Sequence, residues 1–276
     1  MSRAGGRAAS PAAPHRARKR FGQHFLEPAW VAKLVAVIDP RPDDVLLEIG
    51  PGRGALTASL AARVARIVAV EIDRDLAAAL LRVVPESVRL VEGDVLATDI
   101  GALLAGEAAP VRVAGNLPYN VATPILFRLL HASGGGHVLS DATVMLQKEV
   151  ADRVVARPGS GDYGSLAVHV ALDADAELVL ILPPGAFRPP PKVTSAVVRL
   201  RFRPPAVDIG DRDVFERLVR GVFQQRRKTL LNALRPVADT FGRSAADLLD
   251  RAGVDPKIRP GDLALDGFAA LSRAVL

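Results

Sequence analysis

The sequence predicts an α/β fold: a mostly parallel sheet with an antiparallel hairpin at one edge, followed by a small all-α domain. Three observations carry this. Short apolar strand runs alternate with helical patterns from Val45 to Leu146, the pattern of a parallel sheet with helices on both faces. The glycine turn in Glu48-Ile-Gly-Pro-Gly-Arg-Gly54 stands where the first of these strands hands over to a helix, the position of a nucleotide-type cofactor cradle. Beyond Pro204-Pro205 the apolar spacing is helical only.

Taken in order, a helical run Trp30 to Ile38 precedes strand Val45 to Ile49 and helix Ala55 to Val64. Strand Ile67 to Val70, helix Leu76 to Val84, strand Val88 to Val91, strand Val111 to Ala114, helix Pro124 to His131 and strand Thr143 to Leu146 continue the alternation. Asp73 suits a helix cap, and Thr123-Pro124 offers a capping oxygen followed by a first-turn proline. After a further helical run, Gln147 to Val150, the glycine-rich stretch Pro158 to Gly164 reads as a mobile loop. Leu178 to Leu182 and Ala196 to Phe202 read as the edge hairpin, flanking a segment too rich in proline to be helix or central strand. The C-terminal helices are expected at Val214 to Gln225, Lys228 to Leu234, Ala245 to Arg251 and Phe268 to Val275, the last capped by Asp266.

Composition narrows the chemistry. The chain has 276 residues, 49% of them hydrophobic, enough for one full core and a smaller second one, and it has no membrane-spanning apolar run. A soluble, cytoplasmic protein is expected, because no apolar signal core follows the N-terminal segment. The absence of cysteine removes disulfides, thiolate metal sites and cysteine nucleophiles, and five scattered histidines give no metal-ligand spacing. The net charge of +6 is matched by the six cations of residues 1–20 (Arg3, Arg7, Arg16, Arg18, Lys19 and Arg20), a stretch without acids. Residues 1–17 therefore read as a disordered basic arm, ahead of a domain over 18–203 and a helical domain over 204–276.

Several motifs bear on function. Gly50, Gly52 and Gly54 allow a ligand to approach the backbone, and Glu71 ends the next strand at the distance of a ribose-gripping carboxylate. Gly50-x-Gly52-x-x-Ala55 also satisfies the dinucleotide fingerprint, so this segment alone leaves two cofactor classes open. Asn116-Leu117-Pro118-Tyr119 follows a strand on the ligand-binding edge of the sheet. Its amide oxygen and proline-rigidified carbonyl can accept both hydrogens of an exocyclic amine, and its tyrosine can stack on the base carrying that amine; as bare sequence it also reads as a turn. Phe187, before three prolines, reads equally as a loop anchor. Arg226-Arg-Lys228 reads as a solvated helix face or a phosphate contact, and Arg18-Lys-Arg20 beside Phe21 as an anchor or a nucleic-acid edge.

The set Arg20-Phe-Gly-Gln-His-Phe-Leu26, Glu48-Ile-Gly-Pro-Gly52, Glu71, Gly93-Asp94, Gly115-Asn-Leu-Pro-Tyr119, Met145-Leu-Gln-Lys-Glu149, Phe187-Arg-Pro-Pro-Pro-Lys-Val193 and Phe223-Gln-Gln-Arg-Arg-Lys-Thr229 resembles the ribosomal RNA adenine dimethyltransferases, specifically the type acting on the small subunit. The resemblance runs in family order over about residues 18–260. It implies a Rossmann-like domain in which S-adenosyl-L-methionine lies across Gly50 to Gly54, with Glu71 on its ribose, Asp94 and Val95 at its adenine, and His24, Leu26 and Asn116 near the methionine end. A common form of the family has asparagine where this chain has His24, which leaves that side-chain contact open. Asn116, Leu117 and Pro118 would hold the target amine, and Tyr119 and Phe187 would sandwich the flipped adenine. Arg18, Lys19, Arg20, Arg226, Arg227 and Lys228 would meet RNA phosphates.

The implied reaction is dimethylation of two adjacent adenosines near the 3' end of 16S rRNA in the small ribosomal subunit, late in ribosome biogenesis, by a monomer without metal. The nearest rival is the sister group that methylates a large-subunit adenosine and confers macrolide resistance; Phe187 to Val193 and Gln224 to Thr229 favour the small-subunit type. A non-catalytic assembly factor on the same fold is disfavoured by the intact Glu71, Asn116 and Tyr119. A DNA amino-methyltransferase lacks its Asp-Pro-Pro-Tyr-like motif here, and an NAD dehydrogenase lacks a recognisable hydride-transfer pair.

Overall fold

The computed structural model describes residues 24–276. The expected arm and Arg18, Lys19 and Arg20 lie outside the described residues. In chain order the elements are β1 (Phe25–Leu26), α1 (Pro28–Ile38), β2 (Val45–Ile49), α2 (Ala55–Ala61), β3 (Arg66–Glu71), α3 (Arg74–Leu80), β4 (Val88–Glu92), α4 (Ile100–Leu103), β5 (Val111–Asn116) and α5 (Ala122–Ala132). They continue with β6 (Leu139–Gln147), α6 (Lys148–Val154), α7 (Ser165–Asp173), β7 (Ala174–Leu182), β8 (Phe187–Arg188), β9 (Ser195–Phe202), α8 (Arg212–Phe223), α9 (Leu230–Thr240), α10 (Ala245–Ala252) and α11 (Leu265–Val275).

Seven strands form one sheet in the order β4-β3-β2-β5-β6-β9-β7. β2 pairs in parallel with both β3 and β5, so the strand order reverses direction there, at the point where α/β sheets open a crevice at their carboxyl ends. The expected antiparallel edge hairpin is present: β9 runs antiparallel to β6 on one side and to β7 on the other. All five residues of β2 are buried because both sheet faces are covered. Successive residues of β2 feed opposite layers, Leu47 joining one core and Leu46 the other.

Caps explain several boundaries. Asp73 accepts from Asp75 N at 3.1 Å, Asp211 from Val214 N at 2.9 Å, and Gly253 ends α10 with a left-handed φ of 65°. Two expected caps are corrected. α5 begins two residues earlier than Thr123-Pro124 implies, with Val121 at its cap, so Thr123 is already inside the helix. Asp266 lies in the first turn of α11 without capping it, because the helix begins at Leu265. α9 also runs past Pro236, where a stop was expected. Both Pro236 and Asn232 are exposed, so water can satisfy the carbonyl that loses its helical donor.

α7 is the main element the periodicity missed. Ser-Leu-Ala-Val-His-Val-Ala-Leu-Asp carries little amphipathic contrast because it is buried almost all round. Leu166 and Val170 enter the core under the sheet, while Ala167, Val168 and Leu172 enter the core of the C-terminal helices. The preceding Pro158 to Gly164 loop is tethered rather than loose. Gly159 N donates to Gly261 O at 2.7 Å, the Arg226 guanidinium donates to Gly161 O at 2.8 Å, and buried Tyr163 donates to Leu263 O at 3.1 Å.

The end of α7 meets α8 through an ion pair. Arg212 donates from both terminal nitrogens to the Asp173 carboxylate, at 2.7 and 2.9 Å, and Asp173 is only 4% exposed. Removing the arginine would strand a buried negative charge, so Arg212→Ala is expected to destabilise the protein by about 3 kcal/mol. Urea unfolding at neutral pH checks this; a loss below about 1 kcal/mol, the size of an exposed pair, would contradict it.

Candidate functional site

The carboxyl ends of β2, β3 and β5, the loop after β4 and the strap formed by β1 surround one cavity of about 350 Å³. The glycine turn forms its floor. Gly50, Gly52 and Gly54 all have positive φ, of 69°, 59° and 78°. A β-carbon on Gly54 would lie 2.3 Å from Leu80 Cδ1, so the turn is closed to larger residues by contact as well as by conformation. Glu71, at the end of β3, holds this turn in place: its Oε2 accepts from Gly52 N at 2.9 Å and its Oε1 from Asp73 N at 2.8 Å.

A second carboxylate lies beside the first. Glu48 is 1% exposed and lines the cavity, and its Oε2 has no hydrogen-bond partner. Burial pushes its pKa up to about 7; the neighbouring Thr57 hydroxyl opposes the rise, and repulsion from Glu71 adds to it. Burial also raises the Glu71 carboxyl, against backbone hydrogen bonds from Asp73, Gly52 and Ile72 that favour its charge. The sequence reading missed Glu48, although an acid inside the apolar run Val-Leu-Leu-Glu-Ile was the available signal.

The opposite wall is built by Asn116 to Tyr119. Gly115 lets β5 approach β2 so closely that a β-carbon there would lie 2.5 Å from Ile49 O. Asn116 Nδ2 donates to the backbone carbonyl of His24 at 2.9 Å, which commits the amide nitrogen and leaves the amide oxygen as the acceptor for a ligand. Leu117 N donates to Met145 O at 2.9 Å, tying the loop to β6. The Tyr119 ring stacks on the His24 ring at 5.6 Å and 24°, and its hydroxyl hydrogen-bonds Ser195 Oγ at 2.5 Å. Burial raises the Tyr119 pKa, opposed by that bond.

His24 and Leu26 reach the cavity on a strap. β1 pairs antiparallel with β8, Phe25 opposite Arg188 and Leu26 opposite Phe187. His24 Nδ1 lies 2.8 Å from the Pro189 carbonyl; since a carbonyl only accepts, Nδ1 carries the proton. The Phe25 ring lies under the Arg53 guanidinium at 4.0 Å.

Of the sites expected from sequence, His24, Leu26, Gly50, Gly52, Glu71, Asp94, Val95, Asn116, Leu117, Pro118 and Tyr119 all border this cavity. Asp94 is exposed, with Oδ1 accepting from Leu96 N at 2.9 Å, while the Val95 side chain is buried. Phe187, expected beside the target base, does not itself line the cavity: it is 0% exposed and belongs to the core cluster that includes Val31, Leu34 and Ala186, while Arg188 lines the cavity. Arg226, Arg227 and Lys228 are exposed, on a turn between α8 and α9 rather than on a helix.

A model of the ribosomal RNA adenine dimethylase family matches residues 14–269. A ribosomal RNA small subunit methyltransferase A from Acinetobacter baylyi is 47% identical over 94% of this chain and 92% of its own length. One of the same name from Geobacter metallireducens is 46% identical over 95% and 96%. Among solved structures, a dimethyladenosine transferase from Plasmodium falciparum superposes with a TM-score of 0.71 at 24% identity, covering 90% of this chain and 96% of that one. The 23S rRNA methyltransferase ErmE superposes with a TM-score of 0.63 at 25% identity, covering 91% and 99%.

The raised pKa of Glu48 has a signed consequence for stability. Its folded value of about 7 lies above the unfolded value of 4.5, so the folded state holds this proton more tightly. Stability from this group is fully present below about pH 4.5 and is lost as pH rises towards 7, by at most on the order of 3 kcal/mol. Glu48→Gln is therefore expected to be more stable than the parent at pH 8 and to show a flatter pH dependence between 4.5 and 7. Denaturant melts across that range check it; an unchanged slope would contradict the buried acid.

Proposed function

This chain belongs to the ribosomal RNA adenine dimethylase family, and from that premise we propose that it dimethylates two adjacent adenosines near the 3' end of 16S rRNA. The methyl donor is S-adenosyl-L-methionine and the substrate is the small ribosomal subunit, late in its biogenesis. The observation that carries this reading is one cavity in which two buried carboxylates face a committed asparagine amide.

The lining suits a cationic cofactor. Glu48, Glu71 and Asp94 border the cavity, and Glu48 brings a buried oxygen without a partner. Arg53 and Arg188 line the cavity as well, so its charge alone does not exclude a dinucleotide; the family and the buried acids Glu48 and Glu71 support the methionine cofactor. Glu48 would meet the ammonium of the methionine end, Glu71 the ribose hydroxyls, and Asp94 and Val95 the adenine. His24 and Leu26 close the strap over it. Bound there, S-adenosyl-L-methionine supplies an electrophilic methyl group on a positively charged sulfur.

The chain's own contribution is positioning. Asn116 Oδ1 and the Leu117 carbonyl accept the two hydrogens of the adenine amine, aiming its lone pair along the line of attack. Pro118 stiffens the carbonyl. Flipping the adenosine costs a few kcal/mol, and stacking on Tyr119 returns roughly 1–3 kcal/mol. Arg226, Arg227 and Lys228 present phosphate contacts on the helical domain, taken as residues 204–276, and Arg18, Lys19 and Arg20 do so from the N-terminal side. No helix of the described residues is long and apolar enough to cross a membrane, and we place the enzyme in the cytoplasm, acting as a monomer without a metal.

Incubation with labelled cofactor and unmodified small subunits, large subunits or naked rRNA is expected to yield dimethyladenosine in small subunits only. Label in large-subunit RNA would move the activity to the macrolide-resistance reaction, and binding to small subunits without label would make the protein an assembly factor.

Variants separate the roles. Asn116→Ala is expected to abolish transfer while cofactor binding remains measurable, and Glu71→Ala to weaken cofactor binding first, because it also releases Gly52 N. Normal turnover by Asn116→Ala would defeat the amide's assignment. Replacing Arg226, Arg227 and Lys228 with glutamine is expected to lower the salt dependence of RNA binding by about 3 in log–log slope, with the cofactor site intact. Unchanged binding at physiological salt would remove these residues from the interface.

A further inference from the structure

Tyr119 is the stacking residue of the reading above; a turn bond from Val121 N to Pro118 O at 3.1 Å fixes its backbone, while Asn120 beyond it is exposed and leaves its ring to be held from elsewhere. Rigidity reaches it from another strand. Ser195, 0% exposed, opens β9 with its backbone between two neighbours, facing Gln147 of β6 on one side and Leu182 of β7 on the other. One residue earlier, Thr194 O accepts from Lys148 N at 3.0 Å, which closes the end of the β6–β9 pair. The Ser195 hydroxyl therefore has a fixed position, and it lies 2.5 Å from the Tyr119 hydroxyl. His24 covers one face of the same ring at 5.6 Å.

We propose that Ser195 is a positioning residue for methyl transfer: its hydroxyl pins the Tyr119 ring, backed on one face by His24, as a preset platform for the target base. The inference rests on the adenine-methylation reading and adds to it a residue outside the Asn-Leu-Pro-Tyr loop. A ring held at its hydroxyl and covered on one face presents a single remaining face, so the base meets a defined plane without first ordering the side chain. Phe187 of the proline segment is 0% exposed and does not line the cavity, so Tyr119 is the aromatic ring of the platform that borders it together with His24. Ser195 touches neither reacting group. Its effect passes through Tyr119, which gives it a signature distinct from that of a residue needed only for packing.

The test is a double-mutant cycle of Ser195→Ala, Tyr119→Phe and the pair, assayed by methyl transfer to small subunits, with cofactor Kd and Tm measured alongside. Each single variant is expected to lower kcat/KM about fivefold, the scale of one hydrogen bond, with cofactor Kd unchanged. The double variant is expected to be no worse than either single, because both remove the same bond. Multiplying losses, an unaltered kcat/KM in Ser195→Ala, or a parallel weakening of cofactor binding would overturn the proposal.

Tyrosinate titration gives a readout independent of catalysis. The chain has two tyrosines, and burial pushes Tyr163 up to about 12. The Ser195 bond opposes the rise in the Tyr119 pKa, so Ser195→Ala is expected to move upward the tyrosinate transition that Tyr119→Phe removes. If the unsubstituted protein transfers no label to small subunits, the methylation reading fails on its own, and the titration then decides whether Ser195 holds Tyr119; an unmoved transition would show that it does not.

Discussion

Two backbone N–H groups, those of Gly52 and Asp73, converge on the carboxylate of Glu71, and the rest of the site depends on that convergence. The glycine turn after β2 has φ values that side chains resist, so nothing in its own conformational preference holds it in one shape. Glu71, delivered by β3 in register with β2, supplies the hold. Once the turn is set, Gly54 packs against Leu80, α2 starts in the correct direction, and the cavity floor stays open to a ligand. The same carboxylate thus organises the turn and borders the cavity.

The opposite wall follows a similar logic with a neutral group. The asparagine amide is two-sided, and only one side is useful to an amine substrate. The strap resolves the ambiguity by taking the Asn116 nitrogen with the His24 carbonyl, so docking of β1 on β8 both covers the cofactor region and orients the acceptor oxygen. A short two-stranded ribbon, with two residue pairs and an exposed Glu27–Arg188 ion pair at 2.9 Å, is a light attachment for so central a role. The Glu27 N to Ala186 O bond at 2.9 Å and the His24–Pro189 bond add to that ribbon, so the strap is fixed by backbone contacts rather than by its surface ion pair.

Charge is distributed by burial. Glu48 and Glu71 are buried beside the cavity that Arg53 and Arg188 also line, and desolvation pushes the Glu48 carboxyl up. Bases of the helical segment stand on an exposed turn, where phosphate would find them without desolvation of the site. Between the two, α7 joins both cores and the Asp173–Arg212 pair fastens α8 to its end. The Asn116–Tyr119 loop and the Arg226–Lys228 turn are therefore linked through α7 rather than by direct packing.

The sequence by itself determined the α/β alternation, the edge hairpin, the glycine turn and the tetrapeptide after β5, because each is a local pattern: apolar period, turn chemistry, or a motif a few residues long. It also placed Glu71 and Asp94 at strand ends, since strand length and strand end are read from the same run. What it did not determine depended on contacts between distant segments. α7 has no polar face to reveal a helical period, because it is buried between two cores. Phe187 reads on pattern as a loop anchor and by resemblance as a stacking ring, and its burial in the cluster with Val31 and Leu34, distant in the chain, is visible only in the fold. The Ser195–Tyr119 bond joins residues 76 positions apart, and the solitary acid in β2 becomes a buried, unpartnered carboxylate only when the sheet closes around it. Local pattern specifies backbone conformation, while a side chain's chemistry is set by whatever the fold brings within a few ångströms of it.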